Sequence, residues 1–436
     1  MKTTKILCGG MLAVLAFTAC ESNNDDAVAD GGSYLQHVTL QASMGGADTR
    51  ALSEGEGNVI TATFAADDRV VVIDGDGKTE VGTLTAATAG KETTLSGLLD
   101  TSTLTNGETV TLHYRSATAS YDDQVGTLDG IATGQDYATG TLTVSSLDPL
   151  TFESNNVTLV AKQSITKLSF TSGGTPVSVK TFGIAATGLV QSIATNAAET
   201  VGAVTGTLTT ASSDVYVALR NNSGAKQTYS FTIKDDGGNW YTGTKRANLV
   251  NGKNYTATVA LTKLDDLTAS SAVGTVGVVG ELPAIVVESK KAVALMNVGA
   301  LCPEDFGGYY TYENRATGLS NDWYVPSKDE LGALADLTTK PWTTQNGVNG
   351  RLFTIAEGKT LFLPAAGYYD NDTGDEADPL RLLFDLSTCG YYWSASTYAE
   401  NEALAYRLYF NSSYGPAVLT DYKVNELNVR PFHALN

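Results

Sequence analysis

The stretch that decides the fold is LVNGKNYTATVAL, residues 249–261. Its Asn251-Gly252 pair suits a tight turn, because both residue types tolerate positive φ angles. The positions that follow, from Tyr255 to Leu261, place apolar or aromatic side chains at every second residue. Successive side chains of a strand point to opposite faces, so these positions would share one face. The stretch therefore predicts a turn that leads into a β-strand.

The same period-two pattern extends back through residues 31–263, which are rich in Thr, Val, Ser, Ala and Gly. Short alternating runs of this composition are typical of antiparallel β structure. The predicted strands are residues 37–42, 69–73, 80–85, 109–115, 141–145, 157–162 and 165–170. The Asp-Gly-Asp-Gly run at 74–77 predicts a hairpin turn. A calcium loop at this run is the alternative, but it lacks the spacing and the closing glutamate of an EF-hand.

The composition changes after residues 264–279, which are small, polar and dotted with glycine, as in a linker. Thirteen of the 21 tyrosines and three of the four tryptophans lie beyond residue 300, which predicts a separate domain with another kind of core. Ser327 and Glu330 have the spacing of a capping box, so the one long helix of the mature chain is predicted to start there. Further strands are predicted at residues 361–368, 390–396, 405–410 and 428–431.

The N-terminal residues 1–19 have the pattern of an export signal. Lys2 and Lys5 give a positive start, and residues 6–17 form an apolar run too short to span a bilayer as a mature helix. The signal ends directly before Cys20, and an acidic segment follows at residues 20–33.

Charge and cysteine content limit the partners. The formal net charge is −19 at pH 7, and so acidic a surface repels phosphates, which excludes nucleic acid. With Cys8 in the signal and Cys20 at its end, Cys302 and Cys389 remain. An oxidising compartment permits a disulfide between these two, and a pair of buried free thiols is the alternative.

The residues Thr18, Ala19 and Cys20 resemble the lipobox of bacterial lipoproteins. That resemblance implies that the Cys20 thiol carries a diacylglycerol and that Cys20 becomes the mature N-terminus. The complete modification would have two or three acyl chains, such as palmitate. The acidic run that follows resembles the export signal of surface lipoproteins, which implies a location on the outer face of the outer membrane. An ordinary signal peptide with a chance cysteine is the alternative.

The lipobox, the early strand, the Thr-Arg-Ala loop at residues 49–51, two successive β units and the closing strand together resemble the fimbrillin-like (Mfa-like) family. Its members are transthyretin-like β-sandwiches of type V pili or related surface lipoproteins. The resemblance implies one sandwich at residues 34–150 and a second at 151–263. It also implies that an arginine-specific protease cuts after Arg50, and that a donor strand from another pilin subunit then fills the vacated groove.

The segments VALMNVGA, WYVPSKDEL, LFLPAAGY, GYYWSAS, AYRLYF and NVRP occur in this order between residues 292 and 431. They resemble the FISUMP family, which implies a C-type-lectin-like α+β domain at residues 280–436. The predicted fold class is thus mainly β, with two transthyretin-like β-sandwich units followed by a lectin-like domain.

The sequence offers little sign of catalysis. Its three histidines, His37, His113 and His433, stand alone, without a metal-ligand pair, a nucleophile motif or a phosphate loop. A lectin-like oxidase works through paired cysteines, but Cys302 and Cys389 lack its local motif, so no enzymatic activity is predicted.

A polar cluster at residues 368–378 is the candidate ligand or calcium loop. Its oxygen ligands would suit Ca²⁺, and its tyrosines would stack on a sugar or a peptide. A solvated loop with tyrosines packed into the core is the alternative, and no cofactor is required. The candidate residues are Tyr368, Tyr369, Asp370, Asp372 and Asp375.

The sequence is consistent with two functions. The first is a pilus tip or accessory subunit that mediates adhesion to a glycan, a host protein or a bacterial surface protein. Such a subunit would accept a donor strand without giving one. The second is an uncleaved surface lipoprotein that binds glycan or peptide ligands for nutrient capture.

Overall fold

The computed structural model describes residues 34–45, 53–54, 60–61, 63–320, 322–371 and 383–436. Over these residues the chain is mainly β and forms several sheets, as the sequence predicts. The predicted export signal and acidic tether lie outside the described residues. No helix of the described part has the length and apolar character needed to cross a membrane.

The first region begins with a strand and ends at residue 161. Its elements are β1 (Leu35–Gly45), β2 (Ser53–Glu54), β3 (Ile60–Thr61), β4 (Arg69–Ile73), β5 (Glu80–Ala86), β6 (Glu92–Asp100), β7 (Thr109–Tyr114), β8 (Ala119–Ser120), α1 (Leu128–Gly130), a π-helical turn (Ile131–Gln135), β9 (Ala138–Leu147), β10 (Leu150–Phe152) and β11 (Asn156–Ala161).

Eight of these strands form the first sheet, in the order β10-β9-β11-β1-β6-β5-β4-β7. Strand β9 also pairs with β7, so the sheet folds back on itself around one apolar core. The predicted hairpin between β4 and β5 is confirmed. Asp74 fixes its turn, because its Oδ1 accepts hydrogen bonds from the amides of Lys78 (3.0 Å) and Thr79 (3.1 Å).

The second region builds the second sheet. Its strands are β12 (Ser164–Ser172), β13 (Thr175–Pro176), β14 (Val179–Ala185), β15 (Leu189–Ile193), β16 (Glu199–Val201), β17 (Val204–Ser212), β18 (Asp214–Asn221), β19 (Gln227–Asp235), β20 (Trp240–Ala247) and β21 (Asn254–Lys263). The main strand order is β16-β15-β18-β12-β21-β20-β19-β14-β17. The turn and strand predicted at residues 249–261 are confirmed by Gly252, whose φ is 72°, and by β21.

The two sheets share one plan. In the first sheet, β1 pairs antiparallel with β6 and parallel with β11. In the second sheet, β12 pairs antiparallel with β18 and parallel with β21. Each region thus places its first strand beside its last one in the same direction, although the connections between them differ.

The predicted boundary between residues 150 and 151 does not match the sheets. Strands β10 and β11 follow that point, yet both pair with β9 in the first sheet. The Asp148-Pro149 break is therefore the turn of the β9–β10 hairpin, and the second sheet starts at β12.

A segment of the first region lies on the second sheet, and we call residues 119–126 the strap. Strand β8 pairs with β15, and the amide of Gln124 donates to Thr205 O on β17 at 2.9 Å. The Gln124 side chain is fully buried, and its Nε2 donates to Ala218 O on β18 at 2.8 Å. The strap thus joins two separate edges of the second sheet.

The C-terminal region combines small sheets with one helix. Its elements are β22 (Val276–Val279), β23 (Leu282–Glu288), β24 (Lys291–Ala294), β25 (Trp323–Tyr324), α2 (Lys328–Ala335), β26 (Trp342–Gln345), β27 (Val348–Ala356), β28 (Lys359–Pro364), β29 (Tyr368–Tyr369), β30 (Leu383–Phe384), β31 (Cys389–Thr397), β32 (Leu404–Asn411), β33 (Ala417–Tyr422) and β34 (Phe432–Ala434). Its five-stranded sheet has the order β22-β23-β24-β34-β25.

Helix α2 starts as the capping box predicts. Ser327 Oγ accepts the amide of Glu330 at 3.2 Å, and Glu330 Oε2 accepts the amide of Ser327 at 2.8 Å. Leu331 and Leu334 are buried on the inner face of the helix, and they share a core with Phe410.

Two predictions for this region are wrong. Residues 428–431 form no strand, because the backbone of Asn428 makes only one isolated bridge, with Tyr392, and the carbonyls of Val429 and Pro431 accept single hydrogen bonds from Val298 N (3.0 Å) and Ala294 N (3.0 Å). The predicted linker at 264–279 is instead packed against the C-terminal region. Leu267 donates its amide to Val278 O at 2.6 Å, and residues 276–279 form β22.

Candidate functional site

Strand β1 fills a position inside the first sheet. It pairs with β6 from Leu35 to Ser43, and with β11 from Gln41 to Gly45. Residues 35–40 therefore have a backbone partner on one side, whereas residues 41–43 have partners on both sides. The β11 side includes a 2.7 Å bond from Gln41 N to Asn155 O.

The inner face of β1 completes the first core. Val38, Leu40 and Ala42 are buried, and the positions between them are exposed. Burying a Val or Leu side chain contributes about 1.5–3 kcal/mol. Without β1, the core would lose these side chains, and the facing edges of β6 and β11 would lose their hydrogen-bond partners.

The candidate processing residues flank β1. Residues before 34 and residues 46–52 lie outside the described part, so the structure does not place Cys20 or Arg50. The sequence nevertheless puts Arg50 five residues after the end of β1. A cut after Arg50 would leave β1 without a covalent link to the rest of the first sheet.

The two remaining cysteines do not pair. Both are buried free thiols, which was the alternative left open by the sequence. Cys302 packs with Ala185 and Ala203 of the second region, whereas Cys389 belongs to a core that contains Trp393. Burial raises the pKa of the Cys302 thiol, and nearby Glu304 and Asp305 raise it further, so this thiol is poorly nucleophilic.

The described part of the candidate ligand loop is packed rather than open. The ring of Tyr368 lies 4.7 Å from that of Tyr391, and the ring of Tyr369 lies 4.9 Å from that of Tyr309. Tyr369 also exchanges two backbone hydrogen bonds with Glu426 at 3.0 Å. Both tyrosines are half-buried, and ligand binding at these residues remains a prediction.

The carboxylates of that loop are mostly not described. Asp370 is half-buried, one residue before the end of the described stretch, whereas Asp372 and Asp375 lie outside the described residues. Within the part that the structure describes, no group of three His, Cys, Asp or Glu side chains could hold a metal ion. Calcium binding at residues 370–375 remains a prediction.

The three histidines belong to three different strands, β1, β7 and β34. His113 is buried, and its Nδ1 lies 2.7 Å from the Tyr137 hydroxyl. Burial lowers the pKa of His113 to about 4, and nearby Lys162 lowers it further. This imidazole is neutral at pH 7, and its place in the core indicates a structural role.

Two acidic residues lie where the C-terminal region meets the second sheet. The Glu304 carboxylate is buried and accepts hydrogen bonds from Gln345 (2.9 Å) and Asn346 (2.7 Å). Burial raises the pKa of Asp305 to about 6, and Asp122 of the strap adds to the rise. The Asp305 carboxylate still accepts the amides of Leu301 (2.8 Å) and Gly307 (3.0 Å).

The sequence did not reveal a cleft of about 250 Å³ between the second sheet and the C-terminal region. We call it the junction cleft. Its members come from distant parts of the chain, and no local motif links them. The polar and aromatic lining residues are Thr181, Lys234, Trp240, Glu281, Ser320 and Trp323.

The two tryptophans of the junction cleft differ in their hydrogen bonding. Trp240 donates its indole N–H to Glu281 O at 2.8 Å, across the boundary between the two regions. Trp323 is 6% exposed, and its indole N–H has no hydrogen-bond partner in the described part of the chain.

Comparison with known proteins gives one family match. A family model described as a domain of unknown function (DUF8237) matches residues 323–432, from β25 into β34. This range covers most of the C-terminal region but well under half of the chain. No curated protein matches the chain. The lectin-like resemblance of the C-terminal region stays a prediction.

Solved structures resemble about half of the chain. A candidate cell adhesion protein from Bacteroides uniformis has 13% identity, a TM-score of 0.30, and coverage of 54% of this chain and 98% of its own. A fimbrial assembly protein from Parabacteroides distasonis has 13% identity, a TM-score of 0.26, and coverage of 51% and 90%. The tip fimbrial protein Mfa3 from Porphyromonas gingivalis has 9% identity, a TM-score of 0.26, and coverage of 52% and 98%. At these TM-scores the likenesses establish neither fold nor function.

Proposed function

We propose that this protein is a cell-surface subunit of a type V pilus that accepts a strand from another subunit at the position of β1. The observation that carries the proposal is β1 itself. It is the first described strand, it fills a place inside a sheet, and an arginine follows it closely in the sequence. The proposal rests on this strand and not on the resemblance to solved structures.

The physical basis is strand replacement. Removal of β1 would leave unpaired amides and carbonyls on β6 and β11, together with an apolar channel in the first core. An extended segment with alternating apolar side chains would satisfy both. Burial of Val38, Leu40 and Ala42 indicates which positions of a donor strand would face inward.

Anchoring and processing complete the proposal. Cys20 carries the lipid that holds the precursor on the outer face of the outer membrane. Cleavage after Arg50 then separates the lipid and β1 from the first sheet. Two or three acyl chains make such attachment stable until the cut.

The subunit is proposed to stand at the tip or as an accessory of the fibre, with the C-terminal region mediating adhesion. A subunit of the shaft must also give a strand. Strand β34 lies between β24 and β25, so both of its edges are occupied. This pairing supports a subunit that accepts a strand without giving β34.

N-terminal sequencing of the surface-released protein tests the cleavage. We expect Ala51 as the new terminus. Arg50→Ala should abolish the cut, whereas Arg246→Ala, a change of an exposed arginine on β20, should leave it intact. A terminus that remains at Cys20 in the unaltered protein contradicts the processing step.

The second candidate function, an uncleaved surface lipoprotein that binds glycan or peptide, is favoured by the junction cleft. In that case β1 would stay in place. Immunogold labelling separates the two, because a tip subunit should lie at fibre ends and an uncleaved lipoprotein should cover the membrane evenly.

A further inference from the structure

The outer edge of β33 has no backbone partner among the described residues. Strand β33 pairs only with β32 and lies last in the three-stranded sheet β31-β32-β33. Two other edge strands are covered, because Gln124 of the strap bonds to β17 and Leu267 bonds to β22. An open strand edge is a template for pairing with another chain.

The backbone hydrogen bonds show which residues of β33 point outward. The amide of Lys423, directly after the strand, donates to Ala403 O, directly before β32, at 2.9 Å. Hydrogen-bonded and non-hydrogen-bonded pairs alternate along two antiparallel strands. The N–H and C=O groups of Val418, Thr420 and Tyr422 therefore point away from β32.

The free part of this edge is short. The N–H of Tyr422 donates to Asp421 Oδ1 at 2.8 Å, and its C=O accepts the amide of Asn425 at 3.1 Å. Val418 and Thr420 are half-buried, and their outward backbone groups have no partner in the described part of the chain. The edge therefore offers the donors and acceptors of these two residues.

The side chains of β33 do not protect the edge. Native edge strands are commonly protected by lysine or another charged side chain. The one charged residue of β33 is Asp421, and its Oδ2 lies 2.6 Å from Arg407 Nε, so its charge is neutralised within the chain. Leu419 is 44% exposed, and Tyr422 is exposed as well. Free backbone groups thus lie beside exposed apolar side chains.

We propose that β33 pairs with β33 of a second copy of the chain, in an antiparallel contact centred on Leu419. In this register Val418 of each copy lies opposite Thr420 of the other. Each of these pairs can exchange both backbone hydrogen bonds, so every free group of the edge finds a partner. The two Leu419 side chains meet on one face of the extended sheet, where they are removed from water.

The alternative register, centred on Thr420, fits less well. It places Val418 opposite Tyr422, whose backbone groups are already used within the chain. The register centred on Leu419 also places Asp421 opposite Ala417 rather than opposite a second carboxylate. A two-fold contact requires such self-complementarity. The contact does not involve β1, so the inference stands apart from strand replacement.

Cysteine cross-linking of the purified full-length protein tests the contact. Residues of a non-hydrogen-bonded antiparallel pair have Cα atoms about 4.5 Å apart, which is within reach of a disulfide. Leu419→Cys should therefore shift to the mass of a disulfide-linked dimer on a non-reducing gel after mild oxidation. Val160→Cys, at a position of β11 with similar exposure (45%), measures random collision and should stay monomeric. The unaltered protein gives the background from the native cysteines.

Thr420→Cys tests the register. In the contact centred on Leu419, the two Thr420 residues are offset along the strands and lie more than about 7 Å apart, which is too far for a disulfide. This variant should stay monomeric. A Thr420→Cys dimer in the absence of a Leu419→Cys dimer contradicts the assigned register.

Two second-site changes in the Leu419→Cys protein test the role of the edge. Thr420→Pro removes an outward N–H, and β33 keeps its hydrogen bonds to β32, since proline is tolerated on sheet edges. The cross-link should be lost. Thr420→Val keeps the N–H and the branched side chain, so the cross-link should remain.

Thr420→Lys keeps the test decisive if the proline variant does not fold, because a lysine is a natural protection of an open edge and should also abolish the dimer. A Leu419→Cys protein that stays monomeric overturns the proposal. A cross-link that persists in folded Thr420→Pro and Thr420→Lys proteins overturns it as well. On the cell surface, a Leu419→Cys adduct to a different protein, without the dimer, would show that the edge takes a foreign strand instead.

Discussion

Strands β1 and β12 hold equivalent places in the two sheets, yet they are held differently. The parallel partner covers five residues of β1 but eight residues of β12. Strand β12 follows β11 through a short turn that contains the buried Gln163, whereas β1 leads into residues 46–52, which lie outside the described part. Strand β12 is therefore covalently continuous with its sheet. A single cut after β1 would instead remove the covalent link between β1 and the rest of the first sheet.

The comparison of β1 with β12 shows that two properties of a strand are distinct: its place in the core and its covalent attachment to the rest of the sheet. Both strands bury an alternating apolar face, so both complete a core. Only β1 has an arginine in the segment that directly follows it.

Removal of residues 1–50 should have the largest effect. The loss of Val38 and Leu40 from the first core should cost about 3–6 kcal/mol of unfolding free energy. Hydrogen exchange should then accelerate in β6 and β11 but not in β18 and β21. A peptide of residues 34–45 added separately should restore the protection. Unchanged exchange in β6 would contradict the assigned role of β1.

Matched leucine changes sharpen the contrast. Leu40→Ala and Leu168→Ala each remove a buried leucine from the first strand of its sheet, and each should cost about 2–5 kcal/mol in urea unfolding. After cleavage behind residue 50, an unaltered 34–45 peptide should rescue Leu40→Ala. It should not rescue Leu168→Ala, because β12 cannot be exchanged.

Gln124→Leu should loosen the second sheet alone. The change leaves both the N–H and the C=O of Ala218 without their side-chain partner, at a cost of about 2–4 kcal/mol. Exchange should accelerate in β17 and β18, while β6 remains protected. Gln227→Leu, at a partly exposed position of β19, serves as the control and should change little.

Acid should stabilise the contact between the C-terminal region and the strap. The pKa of Asp305 is raised to about 6 in the folded state, against about 3.9 when unfolded, so the folded protein binds more protons between these values. The contribution of Asp305 to the free energy of unfolding should therefore fall by about 1–3 kcal/mol as the pH rises from 4 to 6, and level off above 7. Asp305→Asn should reduce this dependence and leave the part due to Glu304, whose pKa burial also raises, and Asp236→Asn, at an exposed position, should keep it in full.

The sequence predicts the elements whose signal is local. The alternation in β1 and β21, the turn at Asp74 and the capping box of Ser327 depend on neighbours a few residues apart, and the structure confirms them. The predicted linker is wrong because its end, Val276–Val279, is apolar and forms the edge strand β22, and because Leu267 is buried in a core cluster. Composition alone does not distinguish the two.

The features that the sequence missed depend on distant pairs. Gln124 has the composition of a surface residue, but it is fully buried because two strand edges meet around it. Lys234 and Trp323 reach one cleft only after the C-terminal region has docked on the second sheet. Cys302 and Cys389 lie in different core clusters. Their separation along the sequence does not show whether two thiols meet in the fold, so the sequence left both alternatives open.

The strap has a consequence for how the two sheets respond to mechanical force. Because β8 pairs with β15 and Gln124 bonds to β17 and β18, tension on the first region reaches the second through several hydrogen bonds at once. The covalent turn between β11 and β12 therefore does not bear the load alone. Under force, the two sheets should unfold in one cooperative step rather than one after the other.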